Sequence, residues 1–243
     1  MWLRFNPAKD SLFLDIDGTL LDIAPTAQDV KAPPSLIENL GRLNDKLKGA
    51  LAFVSGRMVH EIDQLFNPLK LRCAGAHGAE WRLSPEGPVG TGGLLPDKLR
   101  DDIAIAFDDD KGIIVEDKIY NVAVHYRQAP EKKNEIRKKL FALVNEYRDK
   151  VILINGRKVF EVSLVTNNKG KAIERMLKMP PFKGRRPVFL GDDTADIAAI
   201  ATCMKSGGIA VLVGKGDANQ KSAFASPEQV RSWIGQISAE TTK

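Results

Sequence analysis

Apolar residues along this 243-residue chain follow two alternating rhythms. Short solid runs occur at 12–14 (LFL), 49–54 (GALAFV), 187–190 (PVFL) and 208–214 (GIAVLVG). Such runs mark strands buried on both faces, as in parallel sheets. Between them, apolar positions recur at helical spacing. Leu36, Ile37, Leu40, Leu43 and Leu47 define one helix, with Pro33 and Pro34 before it and Ser35 and Glu38 spaced as a capping box. Met58, Ile62, Leu65 and Phe66 define a second over about 57–66, and Ala172, Ile173, Met176 and Leu177 a third. A strand near 71–74 leads into HGAEWR (77–82). Strands alternating with helices in this way argue an α/β fold.

The alternation is interrupted after 84–96 (SPEGPVGTGGLLP), a Gly- and Pro-rich stretch that reads as a linker. Beyond it the pattern predicts a helix around 97–107, strands at 112–116 and 119–127, a helix within 131–150, and strands at 151–154 and 158–163. Asn155-Gly156 is a strong signal for a tight hairpin turn between the last two. The chain should therefore form a discontinuous core, residues 1–90 and 166–243, and an inserted α+β domain over 91–165. Strand parity groups Glu116 with Lys118, Asn121 with Ala123, His125 and Arg127, and Glu161 with Val159 and Ser163. If helices cover one face of that sheet, these residues make a polar second face.

Composition narrows the partners. Net charge is +5 with a pI near 9.1. The basic residues are dispersed, and their densest segment, 131–150, carries Ile136, Leu140, Leu143, Val144 and Tyr147 at amphipathic spacing. A solvated helix face, not a nucleic-acid site, is the expectation, and basic character also suits an anionic phosphate ester. Cys73 and Cys203 lie in apolar surroundings and form no disulfide framework, so a reducing cytoplasm is expected. No apolar run reaches membrane-spanning length, and MWLRFNPAKD is too short and polar for a secretory signal. Trp2, Trp81 and Trp233 read as packing residues and His60 as a surface residue. His77, in a Gly-rich turn, is open between a structural hydrogen bond and a substrate contact.

Chemistry gathers where the buried runs end. Residues 12–19 (LFLDIDGT) place Asp15 and Asp17 at a strand tip, where open α/β sheets bind ligands. Two like charges there call for a positive partner, and a hard divalent cation is the obvious one. The 49–54 run ends in Ser55, Gly56 and Arg57, a hydroxyl and turn amides suited to phosphate oxygens. NNKGK (167–171) puts Lys169 at a helix start, and the 187–190 run ends in GDDTAD with Asp192, Asp193 and Asp196. Each feature alone has a bland explanation as a turn, a solvated lysine or an acidic cap. Their joint occurrence, in this order, points to phosphate chemistry.

DIDGT, the Ser55 tip, Lys169 and GDDTAD resemble the four motifs of the haloacid dehalogenase (HAD) superfamily of phosphohydrolases. The resemblance implies a Rossmann-like parallel-sheet core of α/β class with an inserted smaller α+β cap domain of αββαββ order. It makes Asp15 the nucleophile and Asp17 the general acid/base. Ser55 and Lys169 would bind the transferring group, with Gly56 and Arg57 at the substrate. Mg²⁺ would be held by Asp15, the Asp17 backbone carbonyl and Asp192, supported by Asp193 and Asp196.

VEDK (115–118), VAVHYR (122–127), GRKVFEV (156–162) and HGAEWR further resemble the trehalose-6-phosphate phosphatases, over roughly residues 10–215. This implies sugar contacts from Glu116, Lys118 and Glu161, with His125, Arg127 and Lys158 as further candidates. Ala195 and Ile197 depart from the family's GDDxTDE, and Ser163-Leu164 stands where a proline is common. The expected activity is hydrolysis of trehalose 6-phosphate by a cytoplasmic enzyme, with a monomer favoured and a trehalose-6-phosphate synthase as functional partner. Other glycosyl phosphates, a phosphomutase and a non-catalytic sugar-phosphate sensor are the alternatives.

Overall fold

The computed structural model describes residues 4–24, 26, 29–156, 158–192, 196–214 and 224–240. Of the expected site residues, Asp193 falls outside this set. Contacts divide the chain into two units, residues 1–90 with 169–243, and residues 91–168.

The larger unit is organised around β1 (Asp10–Leu14), whose five residues are all buried. Parallel neighbours flank it, β10 (Arg186–Gly191) on one side and β2 (Leu51–Val54) on the other. The sheet continues outward through β11 (Ile209–Leu212) beyond β10 and β3 (Arg72–Gly75) beyond β2, all parallel. Antiparallel β4 (Glu80–Arg82) and then β5 (Val89–Thr91) complete the far side. Strand order is β11-β10-β1-β2-β3-β4-β5. The chain winds one way from β1 to β2 and β3 and the other way from β10 to β11. The gap beyond the ends of β1 and β10 is therefore the topological switch point, where open α/β sheets place ligands. Leu14 pairs with Leu190, and the Asp15 N–H donates to the Leu190 carbonyl at 2.9 Å, so the ladder runs on to the acidic tips.

Helices supply the layers that the apolar strands need. In α1 (Pro34–Lys46), Leu36, Leu40 and Leu43 are fully covered, each burial worth about 1.5–3 kcal/mol. α1 packs against α7 (Pro227–Ala239), and Lys46 Nζ caps the end of α7 on the Ile237 carbonyl at 2.6 Å. α5 (Lys169–Leu177) packs against α6 (Ile197–Lys205). The expected capping box at Ser35 does not form. Pro33 is the N-cap and Pro34 already lies in the first turn, which shifts the helix start ahead of the serine and leaves no side-chain cap. α2 (Val59–Leu65) is capped differently, by Glu61, whose carboxylate accepts the Met58 N–H at 2.7 Å.

The smaller unit is a four-stranded antiparallel sheet in the order β6 (Ile114–Asp117), β7 (Asn121–His125), β9 (Val159–Leu164), β8 (Val151–Gly156). One face packs on α3 (Asp97–Phe107) and α4 (Lys133–Val144) in a separate core. Leu99, Ile103, Ile136 and Leu140 there meet Val122, Val124, Phe160 and Val162. The hairpin between β8 and β9 exists, but its loop is not Asn155-Gly156. Asn155 pairs with Phe160 and Gly156 with Val159, so the chain reverses only beyond Gly156, with Lys158 at φ +65°. Among the described residues no helix is long and apolar enough to cross a membrane.

Candidate active site

Asp15 and Asp192 follow neighbouring strands, and the pairing of Leu14 with Leu190 brings them within one residue of the same level of the sheet. The turn after β1 lets the backbone come this close. Gly18 adopts φ +79°, and a Cβ there would lie 2.0 Å from Asp192 Oδ2. The DGT turn is otherwise held by the Gly18 N–H on the Leu21 carbonyl at 2.8 Å and the Leu20 N–H on the Ile16 carbonyl at 2.8 Å.

Lys169 opens α5 and is 3% exposed. Its ammonium contacts Asp15 Oδ1 at 2.9 Å and Asp196 Oδ1 at 2.6 Å. Asp196 is wholly buried, and its other oxygen accepts the Asp192 N–H at 3.0 Å. Asp196 thus links the lysine to the acidic loop after β10. Burial opposes charge on Lys169, but the two carboxylates outweigh it and raise its pKa. Burial raises the pKa of Asp15 well above the ordinary aspartate value; Lys169 works against this, while Asp196 and Asp192 add to it.

Asp15, Asp192 and Asp196 each offer an oxygen, all within 4.8 Å of one another. Hard oxygen donors at that spacing fit a divalent metal ion. The donor set therefore fits the implied metal, with the two oxygens of Asp196 also holding Lys169 and the Asp192 N–H.

The second tip is clamped from β3. Ser55 is buried, its N–H bonded to the Ala74 carbonyl at 2.9 Å and its hydroxyl accepting the Arg57 N–H at 3.2 Å. Ala76 and His77 sit at φ +46° and +55°, and their N–H groups donate to the Arg57 and Ser55 carbonyls at 2.7 and 3.0 Å. The His77 ring lies so near Gly56 that a Cβ there would meet Nε2 at 2.5 Å. Sequence reasoning left His77 undecided and gave no role to Glu80. The Glu80 carboxylate is buried and accepts the Val59 N–H at 2.8 Å, fixing the start of α2. Alanine does not signal a left-handed turn, and although histidine is enriched in that region, one residue type did not reveal the clamp. Arg57, expected at the substrate, directs its guanidinium to Asp17, with Nε and Nη2 donating at 2.7 and 2.6 Å.

In the smaller unit, the face away from the helices carries the expected polar set. Glu116 pairs across with Ala123, and Ala123 with Glu161, so both glutamates share that face with His125. Glu116 Oε2 is 3.1 Å from His125 Nε2 and 3.4 Å from Lys118 Nζ. The His125 hydrogen bond lowers the Glu116 pKa, burial opposes it, and Lys118 assists. Asn121 and Ser163, also on this face, are fully buried, and Glu161 is largely so. Lys158 is exposed in the hairpin loop and Arg127 lies beyond the end of β7.

A mostly parallel sheet with acids at its switch point, and a lysine at the start of the helix that leads into β10, is the arrangement of the HAD fold. The same fold occurs in the C-terminal domain of the Candida albicans trehalose-6-phosphate phosphatase, with a TM-score of 0.79 at 19% identity, covering 96% of this chain and 93% of that one. The chain belongs to the trehalose-phosphatase family, whose model matches residues 13–229. It is 42% identical over 207 residues to a probable trehalose-phosphate phosphatase of Sinorhizobium fredii, covering 84% of this chain and 77% of the relative. It is 34% identical over 235 residues to the trehalose-6-phosphate phosphatase of Escherichia coli, covering 95% and 87%.

Proposed function

We propose that this protein hydrolyses trehalose 6-phosphate to trehalose and inorganic phosphate. The observation that carries the reading is the Asp15–Lys169–Asp196 contact set beside Asp192, a carboxylate with a fixed cation and further carboxylate oxygens within 4.8 Å. Asp15 attacks phosphorus and the ester oxygen leaves, giving an aspartyl-phosphate and splitting one hard hydrolysis into two easier steps. Asp17 protonates the leaving alkoxide and then takes a proton from the water that releases phosphate. Lys169, the Ser55 hydroxyl and the amides of the Gly56 turn hold the phosphoryl oxygens as charge develops on them. The ion would be Mg²⁺, held by the Asp15 and Asp192 carboxylates and the Asp17 carbonyl with Asp193 and Asp196 in support, and it would supply further positive charge to the same oxygens.

Sugar recognition falls to Glu116, Lys118 and Glu161, with His125 and Lys158 as further contacts. Carboxylates accept pairs of sugar hydroxyls, and Lys118 adds a donor. A cytoplasmic setting goes with this reading, supported by two free buried thiols. So does a functional pairing with a synthase that makes the phosphate ester. The test is phosphate release from a panel of sugar phosphates, with and without Mg²⁺. Trehalose 6-phosphate should be turned over fastest and only with the cation. Faster turnover of a sucrose- or glycosylglycerate-type ester would replace the substrate, and no turnover of any ester would overturn the phosphatase reading.

A further inference from the structure

The pairing between Arg57 and Asp17 joins two strand tips 40 residues apart in sequence. It is a fork, with Nε on Oδ2 at 2.7 Å and Nη2 on Oδ1 at 2.6 Å. The arginine end is rigid: its N–H and carbonyl are both hydrogen-bonded, to Ser55 Oγ and from the Ala76 N–H. Its side chain is 11% exposed, whereas that of Asp17 is 37% exposed. An anchored guanidinium therefore reaches out to a carboxylate that is otherwise half open. Burial alone would lower the arginine's pKa; the fork to Asp17 and the charges of Asp17, Glu61 and Asp15 outweigh it and raise it. A bidentate arginine–carboxylate pair fixes the plane of the carboxylate as well as its place, which a single point charge cannot do.

We propose that Arg57 is a positioning residue for Asp17, holding its carboxyl group in the one orientation from which it can serve both steps of the reaction. The inference rests on the phosphatase reading above. In the first step the P–O bond to the alcohol breaks as the Asp15–P bond forms, and the departing oxygen takes the proton of Asp17. In the second, water gives its proton back to Asp17 as its oxygen bonds to phosphorus and the Asp15–P bond breaks. Asp17 ends as it began. Both transfers depend on alignment, so a carboxylate left free to rotate loses part of the roughly 10²–10⁴-fold that acid–base catalysis contributes.

The experiment is a double-mutant cycle of Arg57→Gln and Asp17→Asn, with Arg57→Lys alongside, on trehalose 6-phosphate and p-nitrophenyl phosphate. Arg57→Gln should lower kcat on the sugar ester by roughly 10–100-fold with little change in KM, a share of the acid–base contribution. The double variant should be no slower than Asp17→Asn alone, because the arginine acts through that group. p-Nitrophenolate departs without a proton, so Arg57→Gln should release it in a burst stoichiometric with enzyme, followed by slow turnover limited by water attack. Arg57→Lys should resemble Arg57→Gln, and it carries the test if the glutamine variant unfolds. Losses that multiply in the double variant, or a KM rise that lysine rescues, would mean that Arg57 holds phosphate directly, and the proposal would fall while the phosphatase reading stood. Absence of turnover by the wild-type protein on either ester with Mg²⁺ would sink both.

Discussion

Asp15 is a carboxylate whose surroundings oppose its charge. Burial raises its pKa first and Asp196 and Asp192 add to that, with Lys169 the opposing influence. An acid with a higher pKa folded than unfolded holds its proton longer in the native state, so cation-free stability falls as pH rises from the ordinary value of 3.8 toward the raised one. Asp15→Asn removes that penalty while keeping an oxygen for Lys169. We expect it to abolish turnover and, in chelator at neutral pH, to raise the melting temperature, measured by thermal unfolding. A lowered melting temperature would show that Lys169 depends on the charge of Asp15 more than Asp15 suffers from its burial. Retained turnover would remove Asp15 as the nucleophile.

At the scale of elements, the polar face of the four-stranded sheet makes the sharpest prediction. Glu116 and Glu161 hold matching positions on β6 and β9 through their shared neighbour Ala123 on β7. A lost hydrogen bond to a charged group is worth about 1.5–3 kcal/mol, or roughly 10–100-fold. Glu116→Ala and Glu161→Ala should each lower kcat/KM on the disaccharide phosphate by that much and leave p-nitrophenyl phosphate within about 3-fold. Equal losses on both esters would take specificity away from this face.

Elements with one dominant signal were legible in the sequence: the solid apolar runs at 12–14, 49–54 and 187–190 became buried strands, that at 208–214 became β11 with only Val211 of the strand buried, and the leucines of α1 line one helix face. Where two signals competed, the stronger one lay outside the local pattern. Pro34 outweighed Ser35 at the start of α1, because a proline in the first turn sacrifices no hydrogen bond. The Asn155-Gly156 signal was outweighed by the register of β8 on β9, which puts Gly156 opposite Val159. Acids at strand ends could be named from sequence. Their partners could not, since the Arg57–Asp17 fork and the Lys169–Asp196 contact depend on which strands become neighbours.

For the whole molecule, charge and burial have two measurable consequences. A cation that binds the folded state and not the unfolded one stabilises by mass action, about 2.7 kcal/mol at a hundredfold excess over Kd. Mg²⁺ should therefore raise the melting temperature of the wild-type protein, and Asp192→Asn should shrink that rise. An undiminished rise would place the ion elsewhere. The two thiols give an independent readout. Burial pushes Cys73, first of all, and Cys203 from 9.0 up to about 12. Both stay protonated at pH 8, and a thiol reagent should label them only as fast as the protein opens. Since their folded pKa is raised, the stability they contribute is intact below pH 9 and drains away toward pH 12. Rapid labelling under native conditions would contradict the burial of both.

The pairing of Leu14 with Leu190 also governs how this chain can drift over generations. Side chains inside β1 and β10 can be exchanged among apolar types of similar volume with modest effect. Length is another matter. One residue added to or removed from either strand would slide its tip by about 3.3 Å and turn every later side chain to the opposite face. Mutational histories of this sheet should thus be rich in swaps and empty of indels between position 10 and position 15, however mild the change looks on paper.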